Sequence, residues 1–321
     1  MESTRSRRGG QRLGIGIGIA GATGLGTAAA VTALVAGALA PAAGPAVAAD
    51  GDAPGGTPRS VEITAVDLRP GAGEYLKIDE QLDQVLIVQP TPDFPDEPFA
   101  GPATRADATA AILTSWQSTT YSAGDAGVES VDVSTPGFVG VEIYGDRAAA
   151  TAAWDAKYAP ADVYGSGVLD PAPAETERWI DEESGIAGLF ELPASEVPGD
   201  VEGMITMWES RAAELGLSSA GAYALGALDA GGFNLSAPEV RLVVFEALQQ
   251  VEGVDVSSDA DALVFTGSTQ DGTTVELQVD ASRGIVTSVA EYEGARAGGL
   301  VPDDVPDVTQ RFDDETVTSA P

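Results

Sequence analysis

From Leu13 to Ala49 the chain carries no charged residue, and that run decides how much sequence is left to build a folded domain. Inside it, Gly16-Ile17-Gly18-Ile19-Ala20-Gly21 fits G-x-G-x-x-G. A dinucleotide loop needs a strand before it, a helix after it and an acidic side chain about 20 residues on for the ribose. Here the preceding "MESTRSRRGGQR" is a short basic tail, and no Asp or Glu lies between Glu2 and Asp50. Basic, then apolar, then small residues is instead the order of an export signal. Ala46-Val47-Ala48 and Val47-Ala48-Ala49 both suit signal peptidase, so cleavage at Ala48 or Ala49 leaves a mature chain beginning near Asp50.

Leu13–Ala40 is 28 residues, and about 20 apolar residues span a bilayer. An uncleaved anchor is therefore the close alternative, with Arg5, Arg7, Arg8 and Arg12 on the cytoplasmic side. Gly14, Gly18, Ala22, Gly26 and Ala30 recur every four residues, a spacing that lets membrane helices pack closely but that Gly- and Ala-rich signals also produce by composition. Ser6-Arg7-Arg8 hints at twin-arginine export, although Gly10 and Gln11 stand where that signal has apolar residues.

Of the 16 basic residues four precede Asp50, and of the 50 acidic residues only Glu2 does, so the remainder has a formal charge of −37. That balance excludes a nucleic-acid partner, which requires a basic footprint. It reads as a strongly solvated, self-repelling surface. The membrane is expected to meet this protein only through the N-terminal segment. Partners are limited to an envelope protein or a small ligand of unknown identity.

Five segments follow: 1–49 signal or anchor, 50–58 linker, 59–188 a mixed strand and helix part, 189–293 a helix-plus-meander part, and 294–321 an acidic tail. "SVEITAVDL" and "EYLKIDEQLDQVLIV" read as strands, and the proline-rich "QPTPDFPDEPFAGP" as loop. "ADATAAILTSW" reads as a helix, "VESVDV" and "GFVGVEIYG" as strands, and "DRAAATAAWDAKYA" as a helix capped by Asp146. Val201, Met204, Ile205, Trp208, Ala212 and Leu215 form a helical stripe that Gly216 can stop. A short helix in "SAGAYALGALDA" precedes one that starts at a Ser236–Glu239 capping box around Pro238. Its apolar face is Val240, Val243, Val244, Ala247, Leu248 and Val251. "ALVFTG", the Asp271-Gly272 turn, "TTVELQV" and "IVTSVAEYE" make a meander, and the tail ends in one weak strand. The expected class is α+β, an antiparallel sheet covered on one face by helices.

The residues Leu192-Pro193, Pro238-Glu239-Val240-Arg241, Phe245, Ala247, Leu248, Gly253-Val254, Asp280 and Gly284, with Gly73-Glu74-Tyr75 further upstream, carry a resemblance. Together with the basic tail and membrane segment, they resemble an uncharacterised family of actinobacterial envelope proteins, over residues 189–293 in the main. Ala281 departs from the proline common in that family, and Asp255 to Asp261 is unusually acidic. The resemblance implies an extracytoplasmic domain, often encoded near extracytoplasmic-function sigma factors, and supplies no catalytic residues. The order of sheet and helices is similar to the half-barrel of lipoprotein carriers.

With no histidine and no cysteine, nucleophilic triads, thiolate chemistry, disulfides and His- or Cys-ligated metals are excluded. Only Lys77 and Lys157 are available for a Ser-Lys pair, and neither follows a Ser-x-x-Lys pattern. Carboxylates remain, and a hydrolase would need two of them about 5 to 9 Å apart, but nothing in the sequence marks a pair. No cofactor is expected. Calcium is the ion whose ligand chemistry fits, with Asp255, Asp259 and Asp261 in "DVSSDADA" as candidates and Asp181, Glu182 and Glu183 behind them. Neither cluster matches an EF-hand, and both read first as acidic loops facing water. Among Trp116, Trp154, Trp179 and Trp208, Trp208 lies on a core stripe, while Trp179 is the candidate ligand-pocket residue. The leading reading is a non-catalytic extracytoplasmic protein, secreted or held at the outer face of the cytoplasmic membrane, with a binding, sensory or structural role. A carrier of lipid or another apolar ligand and a secreted carboxylate hydrolase are the alternatives.

Overall fold

The computed structural model describes residues 62–88, 99, 105–124, 127–134, 139–158, 175–180, 196–259, 262–268, 272–292 and 299–321. The expected signal or anchor, the linker and Asp181–Glu183 lie outside these residues. The described residues form ten strands and five helices. In chain order these are β1 (Tyr75–Val88), β2 (Ala110–Ala123), β3 (Glu129–Ser134), β4 (Val139–Gly145), α1 (Arg147–Tyr158), β5 (Glu175–Ile180), α2 (Val201–Leu215), α3 (Ala220–Gly226), α4 (Ala230–Asn234), α5 (Pro238–Leu248), β6 (Val254–Asp259), β7 (Ala262–Ser268), β8 (Thr274–Asp280), β9 (Ile285–Tyr292) and β10 (Val308–Val317).

All strands pair antiparallel in one open sheet, in the order β5-β3-β2-β1-β10-β9-β8-β7-β6. β3 and β4 lie in series along one edge of β2, at Ser118–Tyr121 and Ala110–Ser115. The sheet does not close into a barrel. Its two halves meet where β1 pairs with β10 over ten residues, from Tyr75 opposite Val317 to Gln84 opposite Val308. The strand expected as weak, in an acidic tail, is thus at the middle of the sheet.

Strand alternation sorts the two faces. On one face, Leu76 and Ile78 of β1 join Leu263 and Phe265 of β7, Val275, Leu277 and Val279 of β8, and Phe312 of β10. Against them pack Met204, Trp208 and Ala212 of α2, Tyr223 and Leu225 of α3, Phe233 of α4, and Val244, Phe245, Ala247 and Leu248 of α5. Further along β1, on the same face, Val88 meets Ala110 and Ile112 of β2 and Ala150, Ala153 and Trp154 of α1. The helices therefore share one face. The opposite face is open and polar except at one end, where Val301 covers Val85 and Ala111.

Several elements follow directly from local chemistry. The Asp146 carboxylate accepts from the backbone N–H of Ala148 at 2.9 Å and Ala149 at 3.2 Å, capping α1. Asp200 caps α2 through Gly203 N–H at 2.8 Å, and Gly216, at φ 70°, ends it. Others differ from expectation. "ADATAAILTSW" enters β2, because Ala110, Ala111 and Ile112 are all buried between layers and show no polar alternation. The described part of "SVEITAVDL", from Glu62 to Leu68, joins no ladder; Thr64 and Val66 donate to Ala281 and Arg283 carbonyls in the β8–β9 turn, at 2.9 Å each. α5 begins with Pro238 as its first residue and Ala237 as N-cap, so Ser236 sits one position too early to close a capping box. The acidic loop expected at Asp255 is edge strand β6.

Gly284 turns β8 into β9 at φ +59°, and a Cβ there would lie 2.8 Å from the Ala65 Cα. Gly284→Ala is expected to lower stability by about 1–2 kcal/mol from the left-handed backbone alone, and by more through the contact with Ala65. Denaturant unfolding measures it, with Gly272→Ala as the comparison, since that glycine also has positive φ but open space around it.

Candidate functional site

The β9–β10 ladder runs for only four pairs, from Val308–Glu291 to Arg311–Ser288. Beyond Arg311, β10 continues along β1 while β9 turns toward Gly284. Helix α4 fills the fork. The Asn234 side chain treats Val286 as a strand neighbour: its Oδ1 accepts from Val286 N–H and its Nδ2 donates to the Val286 carbonyl, both at 2.8 Å. The same Nδ2 donates to Asp314 Oδ2 on β10 at 2.8 Å. Arg283 donates to the backbone carbonyl of Asp314, an acceptor the β9 ladder no longer serves.

Beside this bridge lies Arg241, fully buried on α5. It donates to the Gly284 carbonyl at 2.6 Å and to the Val66 carbonyl, joining α5, the β8–β9 turn and the 62–70 segment. Burial pushes the Arg241 guanidinium below its ordinary value against the pull of Asp67 and Asp314. Burial also raises the Asp314 carboxyl from 3.8 to about 6, outweighing the Asn234 hydrogen bond and the Arg283 charge. Between those values the folded state holds this proton more tightly than the unfolded chain does. The stability contributed by Asp314 is therefore present at low pH and lost as pH rises through about 4 to 6. Arg241 Nε and Asp314 Oδ1 are buried without a hydrogen-bond partner among the described residues.

The open face of the sheet is a second polar arrangement. Register places Tyr121-Lys77-Glu315, Thr119-Asp79-Asp313, Gln117-Gln81-Arg311 and Ser115-Asp83-Thr309 in four successive cross-strand rows over β2, β1 and β10. Lys77 bridges Asp79 at 2.7 Å and Glu315 at 2.8 Å, and these carboxylates hold its ammonium above its ordinary value. Thr119 donates to Asp79 at 2.6 Å, Gln81 to Asp83 at 2.9 Å and Arg311 to Asp83 at 2.5 Å. Asp79 and Asp313 stand directly opposite one another, a like-charge pair that opposes sheet pairing. A concavity of about 330 Å³ opens over these middle rows. Its amides, hydroxyls and carboxylates can exchange hydrogen bonds and attract cations. Another hollow, of about 640 Å³, follows the outer surface of α2 past Gly203, Met207 and Arg211.

Asp255 is exposed on β6, and Asp259 ends that strand. Four residues of extended chain hold them about 13 Å apart, so the strand does not bring the pair together, and Asp261 lies outside the described residues. Trp179 occupies a position on edge strand β5 opposite Ser130, with its side chain outside the described set. Ala48 and Ala49 are outside it too. Trp208 is wholly buried in the helix-covered core, as its stripe indicates, and Trp154 is buried beneath α1. Trp116 is half-buried on β2 opposite Leu82.

Asn234, Asp314 and the buried Arg105–Asp307 pair, 2.7 Å apart, were not singled out. Asp314 had a signal, since Val308, Phe312 and Asp314 fall on one phase of the β10 alternation and point the same way. Arg241, Asp280 and Gly284, three residues of the resemblance, meet at the β8–β9 turn. There Asp280 Oδ1 accepts from Ser282 N–H at 2.9 Å and Arg283 N–H at 3.2 Å, shaping the loop whose last carbonyl Arg241 holds.

No family model, curated protein or solved structure matches this chain.

Arg241→Met is expected to cost about 2–4 kcal/mol, because the buried Gly284 carbonyl and the half-buried Val66 carbonyl lose their donor. Leu242→Ala, next to it but facing solvent, is expected to change stability by under about 0.5 kcal/mol. Urea unfolding of both variants checks the contrast. Asp313→Asn should raise stability by a few tenths of a kcal/mol by relieving the pair with Asp79, an effect that fades as salt is added.

Proposed function

We propose that this chain is a non-catalytic extracytoplasmic protein of the cell envelope, acting through its surface in a binding or structural role. The opposite treatment of the two sheet faces carries this reading. Between helices and sheet, Trp208, Phe233, Phe245 and Phe265 are fully buried and pack on one another, with Phe233 and Phe245 edge to face at 5.1 Å. A carrier of apolar ligands needs an apolar cavity in that position. The uncovered face offers ordered rows of hydrogen-bonding groups, which favours contact with a polar partner over enclosure of a greasy one. The basic, then apolar, then small-residue N-terminal segment and the charge of −37 beyond it support export. The resemblance to actinobacterial envelope proteins points the same way.

Native mass spectrometry of the protein released gently from its own envelope, before and after a chelator, tests the reading. The expected result is a bare polypeptide mass in the envelope or secreted fraction, either whole or shorter by about 49 residues, the length of the signal segment. A co-purifying species of lipid mass would replace this reading with the carrier. A mass lost on chelation would assign a calcium ion and direct substitution to Asp255, Asp259 and Asp261. Recovery of the whole chain from the cytoplasm alone would overturn export.

A further inference from the structure

The open sheet face carries an electrostatic cost at the ladder that joins its halves. Over β2, β1 and β10 that face presents four carboxylates, Asp79, Asp83, Asp313 and Glu315, against two cations, Lys77 and Arg311. Both cations are engaged, Lys77 with Asp79 and Glu315, and Arg311 with Asp83. Asp313 is exposed and takes no hydrogen bond or ion pair among the described residues. It is nonetheless held directly opposite Asp79, so one row of the central ladder keeps an excess of negative charge. A local rule broken without local compensation marks a place where the surface serves something other than folding.

We infer that the open face docks an extended segment of a protein partner, which places one Lys or Arg side chain over the Asp79–Asp313 row. The inference deepens the binding reading above and rests on it. The concavity of about 330 Å³ lies at this row, with Asp79, Thr119, Asp313, Gln81, Gln117 and Arg311 in its lining. It has room for a cationic head group together with neighbouring backbone. A divalent metal ion needs six or more converging oxygens, and among the described residues no three acidic side chains converge in that way. Successive rows lie two residues apart along β1, about 6.6 to 6.8 Å, which is also the repeat of same-side side chains on an extended segment laid along that strand. Charge then sets the pattern of the segment. Lys77 with Glu315 balances the row on one side, and Arg311 with Asp83 balances the rows on the other. Those rows therefore call for uncharged polar side chains, which meet Tyr121 on one side and Gln81 and Gln117 on the other. Val301, covering Val85 and Ala111, closes the face beyond Ser115 and Asp83. The charge of −37 draws a basic partner from a distance and opposes docking of a second copy of this chain.

Nuclear magnetic resonance titration of the isotope-labelled full chain tests the docking. The probe is a synthetic peptide of alternating Ser and Thr with one central Arg, and the comparison peptide carries Gln in its place. Saturable shifts are expected at the backbone amides of Asp79, Gln81, Gln117 and Asp313, with binding of the Gln peptide weaker by about tenfold or more. Asp313→Asn, expected above to be more stable than the wild type, should nonetheless bind the Arg peptide about tenfold more weakly. A residue serving only the sheet would not separate the two readouts. Glu209→Gln removes the same charge from the exposed side of α2 and should leave affinity within about twofold. Shifts confined to other parts of the chain, equal binding of the two peptides, or unchanged affinity in Asp313→Asn would overturn the proposal. So would arginine amide binding as tightly as the peptide, since the extended segment would then add nothing. A neutral oligosaccharide that moves the same amides while the peptides do not would overturn the basic segment and leave the binding reading standing. Recovery of the chain from the cytoplasm alone would remove the envelope reading without altering this titration.

Discussion

Hydrogen bonds between β1 and β10 are the main join between two halves of the sheet, with the buried Arg105–Asp307 pair crossing the same boundary. On one side of that ladder lie β2 to β5 with α1; on the other lie β6 to β9 with α2 to α5. Each half has its own apolar cluster against its own helices, and β1 contributes to both, through Leu76 and Ile78 at one end and Val88 at the other. A sheet assembled in this way has a high proportion of long-range pairing at its centre, which costs loop-closure entropy before it returns any contact. The compensation is length: fourteen pairs with β2 and ten with β10 make β1 the longest shared edge in the described sheet.

Where the β9–β10 ladder stops, backbone polar groups still need partners, since few buried N–H or C=O groups are left unserved in folded proteins. Asn234, Arg283 and Arg241 supply them. A side-chain amide can copy the donor and acceptor pair of a strand residue, and a guanidinium can reach two carbonyls on separate segments. These substitutions introduce charge into a core, which explains why Asp314 and Arg241 are pushed by burial toward their neutral forms. The same loop that needs Gly284 for its turn also offers the carbonyl that Arg241 binds, so the resemblance residues gathered there have a shared structural reason.

Much of the fold was legible where one residue had one job. Asp146 and Gly216 mark helix ends through local hydrogen bonding and backbone freedom, and Val275, Leu277 and Val279 alternate because β8 has one buried face. Legibility failed where two constraints overlapped. Ala110 to Ile112 are buried on both sides of the sheet, which erases the period-two signal and leaves a composition that favours helix. In β6, Asp255 between Val254 and Val256 hides a strand behind its charge. The site was harder still, because Asn234 and Asp314 are 80 residues apart, and no local pattern says that a five-residue helix will wedge between two strands. The open-face rows depend on register between β1 and β10, which only the assembled sheet defines.

The direction of the central ladder has a mechanical consequence. Tyr75 begins β1 and Val317 ends β10, and these two residues face each other at the same end of the ladder. A tether pulling ahead of Tyr75 against a grip beyond Val317 therefore loads the pairs one after another, beginning at that end. Sharing the load among all the rungs at once would require the two grips to sit at opposite ends. Antiparallel strands pulled from a common end peel like a zip, whereas strands pulled from opposite ends resist in shear. Under tension applied in this way, the sheet would part at its midline and draw Leu76 and Ile78 of β1 out of the apolar cluster beneath α2 to α5.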